Sequence, residues 1–287
     1  MLDSTQFSLL TGQPLETNYL SYTASDGVEL SYQRLGSGPP LLLIHGLGSS
    51  SMDWEFQYAD LGKDYELIIP DLRGFGRSMQ AYFAMSKPAI SMALYASDMR
   101  DLMQHLGIQS CPVLGYSMGG AVAFQLAMDQ IDHNEYFIPE ALLIVNSLAS
   151  FKIDTLSKLY QVSLRRLLAR ILSMPQMAKI LSRKLFPDNP VLGDRLRERN
   201  SKNRKAPYIK ALNALIDWQM GEYLEKIAQN TLFISADKDY TPPAHKERSA
   251  VKMKNARVHV IKDSMHGTPM DQPEEFNRVV LEFLKQI

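Results

Sequence analysis

The sequence predicts an α/β fold: a mostly parallel central sheet flanked by helices and interrupted by one inserted helical segment. Three observations carry this. Short apolar runs without polar alternation recur along the chain, as suits strands buried on both faces. Stretches with apolar residues at helical spacing lie between those runs, the signature of strand–helix crossovers. One region, residues 151–225, shows helical pattern only. The 287 residues are 45% hydrophobic and 22% charged, the balance of a globular protein rather than of a disordered or collagen-like chain. Their number suits one large domain or a domain with an insertion.

Taken in order, two alternating stretches around Ser25-Asp26-Gly27 read as a hairpin with an Asp-Gly turn. Buried strands are expected near residues 41–44, 67–69, 113–114, 141–145, 232–234 and 258–261. Residues 93–106 carry a helical stripe through Leu94, Met99, Leu102, Met103 and Leu106, and residues 118–128 form a helix rich in small side chains. Pro273 opens a last helix whose face uses Phe276, Val279, Val280, Phe283 and Leu284. Within the inserted region, residues 156–172 hold helical spacing until Pro175 interrupts, and residues 177–186 and 208–218 supply further helices. The expected organisation is a core of residues 1–150 and 226–287 with a helical cap at 151–225.

The single cysteine, Cys111, excludes an intrachain disulfide and reads as a small buried hydrophobe. The first fifteen residues contain no Lys or Arg and no apolar run of signal-peptide length. No window is apolar enough for a membrane span. The expected location is the cytoplasm.

The most informative segment is Gly115-Tyr116-Ser117-Met118-Gly119-Gly120. It follows an apolar strand and opens a helix, the context in which G-x-S-x-G makes a sharp nucleophile-bearing turn. Residues two before and two after the serine must be nearly free of side chain, which Gly115 and Gly119 supply. Ser117 then projects from the carboxyl edge of the sheet. A serine hydroxyl is a weak nucleophile unless an imidazole takes its proton and a carboxylate orients the ring. Downstream, Ala236-Asp237-Lys238-Asp239 follows one strand and Lys262-Asp263-Ser264-Met265-His266-Gly267 follows the next. Serine, acid and histidine thus all fall at the same sheet edge.

With these residues the chain resembles the α/β-hydrolase fold family over nearly its whole length. His45-Gly46-Leu47-Gly48 resembles the family's H-G-x-G oxyanion loop, and Asp71-Leu72-Arg73-Gly74-Phe75-Gly76-Arg77-Ser78 its D-x-R-G-x-G-x-S turn. Residues 236–239 resemble its G-x-x-D acid loop, with alanine in place of glycine. The resemblance implies Ser117, Asp239 and His266 as the catalytic set, with Asp237 the alternative acid or a loop cap. It also implies backbone N–H groups of Leu47 and Met118 as the oxyanion hole. His45 is expected to make structural hydrogen bonds. No H-E-x-x-H or Cys/His cluster, G-x-G-x-x-G or P-loop pattern occurs, so neither a metal nor a cofactor is expected.

Serine at 117 separates the chain from dehalogenases and epoxide hydrolases of this fold, which use aspartate. Carbon–carbon bond hydrolases of the family carry tryptophan after the histidine, where this chain has Gly267. The expected reaction is hydrolysis of a carboxylic ester or thioester. Substrate choice falls to the cap. The whole chain balances 31 Lys+Arg against 31 Asp+Glu, yet residues 151–210 hold 15 basic and 4 acidic residues, a net +11. A solvated polar face is the plain explanation; the alternative is a docking surface for an acidic partner, centred on Arg165, Arg166, Arg170, Arg183 and Lys184. That picture resembles the pimeloyl-[acyl-carrier protein] methyl ester esterases of biotin synthesis, whose basic cap receives the acidic acyl carrier protein. Two other readings remain: a general short-chain or lipid ester hydrolase, and a non-catalytic binding module on the same fold. Nucleic acid is not an expected partner, because the basic segment lacks interleaved aromatics.

Overall fold

The computed structural model describes residues 19–86, 89–133, 135–149 and 156–287; the N-terminal stretch read above for a signal peptide and the expected start of the cap, residues 151–155, lie outside them. Eight strands form one sheet: β1 (Tyr19–Thr23), β2 (Glu29–Gly36), β3 (Pro40–Ile44), β4 (Glu66–Pro70), β5 (Ser110–Tyr116), β6 (Ile138–Val145), β7 (Asn230–Ala236) and β8 (Ala256–Ile261). Their order is β1-β2-β4-β3-β5-β6-β7-β8. The first two pairings are antiparallel, and every pairing from β4 to β8 is parallel. β1 and β2 are joined by the expected turn, with Gly27 at φ 81°.

The helices are α1 (Tyr58–Leu61), α2 (Ala81–Ala84), α3 (Met92–His105), α4 (Met118–Asp132), α5 (Leu156–Ile171), α6 (Met174–Leu185), α7 (Pro190–Ser201), α8 (Lys205–Asp217), α9 (Pro243–Ala250), α10 (Thr268–Asp271) and α11 (Pro273–Leu284). Along β3, Leu42 and Ile44 join the core packed by α3 and α4, whereas Leu41 and Leu43 join the one packed by α11. Both faces of the central strands are therefore covered, which is why they read as continuous apolar runs. Burial pushes the Cys111 thiol well up, so it behaves as the inert hydrophobe expected.

The helical segment lies between β6 and β7. It departs from expectation in two places. The expected interruption is present, α5 ending at Ile171, but Pro175 lies inside the next helix: it occupies the first turn of α6, where no intrahelical N–H is lost, behind a capping box formed by Ser173 and Gln176. α7 carries few buried apolar residues, chiefly Leu192 and Leu196, so its periodicity is too weak to read from sequence. Its charges are spent on the core. Arg199 donates to Met52 O at 3.0 Å and Glu55 Oε1 at 2.8 Å, and Arg195 pairs with Glu55 Oε2 at 2.9 Å. Tethered this way, α7 and the start of α8 roof the loop that follows β3.

Candidate active site

β5 runs into Ser117, which turns through φ 53° and ψ −114° before α4 begins. A side chain in that region is strained, and such residues persist where the surroundings hold them. Here Ser117 N donates to Val145 O at 2.8 Å. The turn leaves no room at Gly119, where a Cβ would collide with the backbone of Ile44 and His45. Met118 occupies the first position of α4, where a helix leaves its N–H unpaired.

The motif residues converge. His266 Nε2 lies 2.9 Å from Ser117 Oγ, and His266 Nδ1 lies 2.9 Å from Asp239 Oδ1. The ring is nearly buried, at 4% exposure. Burial pushes the Asp239 carboxyl upward, but the His266 hydrogen bond and charge, with Lys246 and Thr241, outweigh it and hold the pKa near about 2. Asp237 sits elsewhere. Its oxygens accept from the backbone N–H groups of Asp263 and Ser264, each at 3.1 Å, bracing the start of the histidine loop.

The 45–48 loop is fixed from two sides. His45 donates from Nδ1 to Gly46 O at 2.8 Å and accepts from Leu72 N–H at Nε2 over 2.9 Å, so the H-G-x-G loop is tied to the D-x-R-G turn. Burial pushes the His45 pKa down, consistent with a neutral ring that both donates and accepts. A Cβ on Gly46 would sit 3.3 Å from Ser117 Cβ, which puts this loop directly against the serine. The Leu47 N–H makes no hydrogen bond among the described residues.

Several contributors carry no motif. Lys246, fully buried, reaches Asp239 Oδ2 at 3.1 Å and Thr241 Oγ1 at 2.7 Å. Asn146 donates to His266 O at 2.8 Å and Thr268 Oγ1 at 2.7 Å and accepts from Ala236 N–H at 2.8 Å. Asp271 accepts from Met265 N–H at 2.7 Å, and burial pushes its carboxyl up to about 6. Tyr240 is placed by its neighbour Asp239. Its ring lies 4.4 Å from the imidazole and its hydroxyl 2.9 Å from His266 Nε2. Enclosure by protein pushes that phenol up to about 12, so it stays protonated and can donate.

Beyond Tyr240 a cavity of about 860 Å³ opens between α5, α6, α8 and the core, with an apolar wall of Leu148, Val162, Leu168, Met177, Leu212 and Ile216. Tyr240 stands between this cavity and Ser117. The five basic residues singled out in the inserted helices separate. Arg165 lines the cavity, half-buried; Arg166 pairs with Asp217 at 2.6 Å. Lys184 lies over the Tyr240 ring at 4.4 Å, while Arg170 and Arg183 are exposed. Among the described residues, no group of His, Cys, Asp and Glu side chains could hold a metal ion, and no helix is long and apolar enough to cross a membrane.

The sequence profile described as "Alpha/beta hydrolase family" matches residues 41–279. A thermophilic esterase from Thermogutta terrifontis superposes with a TM-score of 0.80 at 25% identity, covering 94% of this chain and 98% of its own. An uncharacterized protein of Mycobacterium tuberculosis is 27% identical over 282 residues, 92% of this chain and 81% of its own. A 2-hydroxy-6-oxo-6-phenylhexa-2,4-dienoate hydrolase of Comamonas testosteroni is 24% identical over 271 residues, 90% of this chain and 91% of its own.

Proposed function

The chain belongs to the alpha/beta hydrolase family, and from that premise we propose that it hydrolyses carboxylic esters through an acyl-enzyme on Ser117. The observation that carries this is the continuous series Ser117 Oγ, His266 Nε2, His266 Nδ1 and Asp239 Oδ1, with both gaps at 2.9 Å. The esterase among its structural relatives supports the same reaction class.

In the first step Ser117 Oγ attacks the ester carbonyl as His266 Nε2 takes its proton. Asp239, held ionised, orients the ring and stabilises the imidazolium. The carbonyl oxygen gains negative charge and receives the N–H groups of Leu47 and Met118, each worth about 3 kcal/mol of barrier. Collapse of the intermediate breaks the bond to the alcohol oxygen, which takes the proton from His266 and leaves. Water then attacks the acyl-enzyme by the same route, its proton passing through His266 back to Ser117. The residues 151–225 act as a cap, and the apolar cavity beneath it is read as the acyl site.

The test is labelling by a serine-directed phosphonate and turnover of p-nitrophenyl acetate. The parent is expected to do both and Ser117→Ala neither. A folded parent that does neither is the non-catalytic module instead. A narrower reading, esters linked to an acidic acyl carrier protein, is favoured by Arg170, Arg183 and Lys184, which form no ion pair among the described residues. It predicts strong salt sensitivity for carrier-linked esters and little for free ones; equal sensitivity leaves the general esterase.

A further inference from the structure

We propose that Arg165, between Tyr240 and Tyr208, forms with Tyr208 an anion subsite that selects esters whose acyl part ends in a free carboxylate. This rests on the ester-hydrolase reading and names its substrate class.

The first ground is a half-buried cation without a counter-ion among the described residues. Three other enclosed cations each hold a carboxylate: Arg73 has Asp26 and Asp98, Arg199 has Glu55, and Lys246 has Asp239. Arg165 faces the cavity with its guanidinium against the hydroxyls of Tyr208 and Tyr240, and it pairs with no carboxylate among the described residues. Lys184 stands close enough for the two positive charges to repel, and burial together with Arg165 pushes the Lys184 pKa down. Taking a guanidinium out of water loses solvation that phenol dipoles replace only in part. Two like charges facing one cavity raise a positive potential there.

The second ground is a buried phenol beside the same guanidinium. Tyr208 is 1% exposed and its hydroxyl lies against the Arg165 guanidinium, which can only donate, so the phenol's own proton finds no acceptor among the described residues. Buried hydroxyls are nearly always paired, so a phenol proton left here favours an acceptor from a ligand. A carboxylate meets both needs, with one oxygen on the guanidinium fork and the other free to accept from the phenol.

The third ground is position. The Tyr208 ring packs on the oxyanion loop so closely that a Cβ on Gly48 would lie 2.8 Å from it. Tyr240, on the other side of Arg165, reaches His266 Nε2 at 2.9 Å. An anion held at Arg165 is therefore flanked by one phenol touching the oxyanion loop and one touching the base. The ligand is a monoester of a short dicarboxylic acid, with its ester carbonyl on Ser117 and its free carboxylate on Arg165.

The experiment compares monomethyl esters of succinic through pimelic acid with their terminal carboxamides, which match in size and lack the charge. At the preferred length the parent is expected to favour the carboxylate by about thirtyfold in kcat/KM, mostly through KM. Arg165→Met is expected to lower that ratio at least about tenfold, Arg165→Lys to restore part of it, and Tyr208→Phe to lower it about threefold. A parent ratio at or below one at every length overturns the proposal. So does an Arg165→Met or Arg165→Lys variant that slows both substrates alike and leaves the ratio unchanged. If Arg165→Met does not fold, the Lys and Tyr208→Phe variants decide. Parent turnover of p-nitrophenyl acetate without carboxylate preference rejects the subsite alone; absence of turnover and of Ser117 labelling rejects the esterase reading with it.

Discussion

The side-chain amide of Asn146 donates to the backbone carbonyl of His266 over 2.8 Å. Asn146 sits just past β6 at φ 45°, a left-handed geometry that Asn tolerates better than most residues. From there it ties the loop bearing His266 to Thr268 and to the end of β7. Asn146→Asp keeps the size and removes the donor. We expect kcat to fall about tenfold or more with KM little changed, because each lost bond is worth about 1 kcal/mol and the base drifts. Steady-state kinetics on a simple ester would show it, and an unaltered kcat would refute the positioning role.

Tyr240 and Ser117 both reach His266 Nε2 at 2.9 Å. A phenol donating to that nitrogen occupies the lone pair needed to take the serine proton. Tyr240→Phe removes the competitor, so the phosphonate labelling rate of Ser117 is expected to rise about fivefold, the worth of roughly 1 kcal/mol. A slower rate would mean that the phenol assists the base.

Lys246 is one of the groups holding Asp239 at a pKa near about 2. A carboxyl depressed in the folded state contributes stability that is present above its unfolded value near about 4 and lost as pH falls through the folded one. Lys246→Met lets the Asp239 pKa rise. Its acid unfolding midpoint should therefore move to higher pH by about half a unit or more, read by circular dichroism across an acid titration. A midpoint that stays put would show that His266 and Thr241 suffice.

Asp53 has the opposite sign. Burial pushes its carboxyl up to about 6, so between about pH 4 and 6 the folded chain binds more protons than the unfolded one. Stability from this group falls as pH rises through that window. Asp53 Oδ2 has no hydrogen-bond partner among the described residues, so Asp53→Asn sacrifices no accepted bond there. The variant should exceed the parent by about 2 kcal/mol near pH 8, and the gap should close below about pH 4. Parallel thermal-melt curves across that range would contradict it.

What the sequence made legible follows from how local each determinant is. The parallel sheet could be read because both faces of β3 to β7 are covered, leaving runs without alternation. Ser117 and the glycines around it could be read because one turn imposes both. Asn146 and Lys246 could not. Each is a single polar residue whose partner is fixed only when separate strands dock, and Lys246 finds Asp239 through α9 packing. Arg165 and Arg166 show the limit best. They are adjacent and alike in composition, yet the turn of a helix sends one into the cavity and the other to Asp217. Net charge cannot distinguish those directions.

Ser117 and His266 stand 149 positions apart in the chain. At a synthesis rate of about 5–20 residues per second, a growing chain spends on the order of ten seconds with its serine made and its base not yet translated. β7 and β8, which position Asp239 and His266, also arrive in that interval. On the proposed mechanism the Ser117 hydroxyl is thus born latent, and esterase competence marks the completion of the sheet.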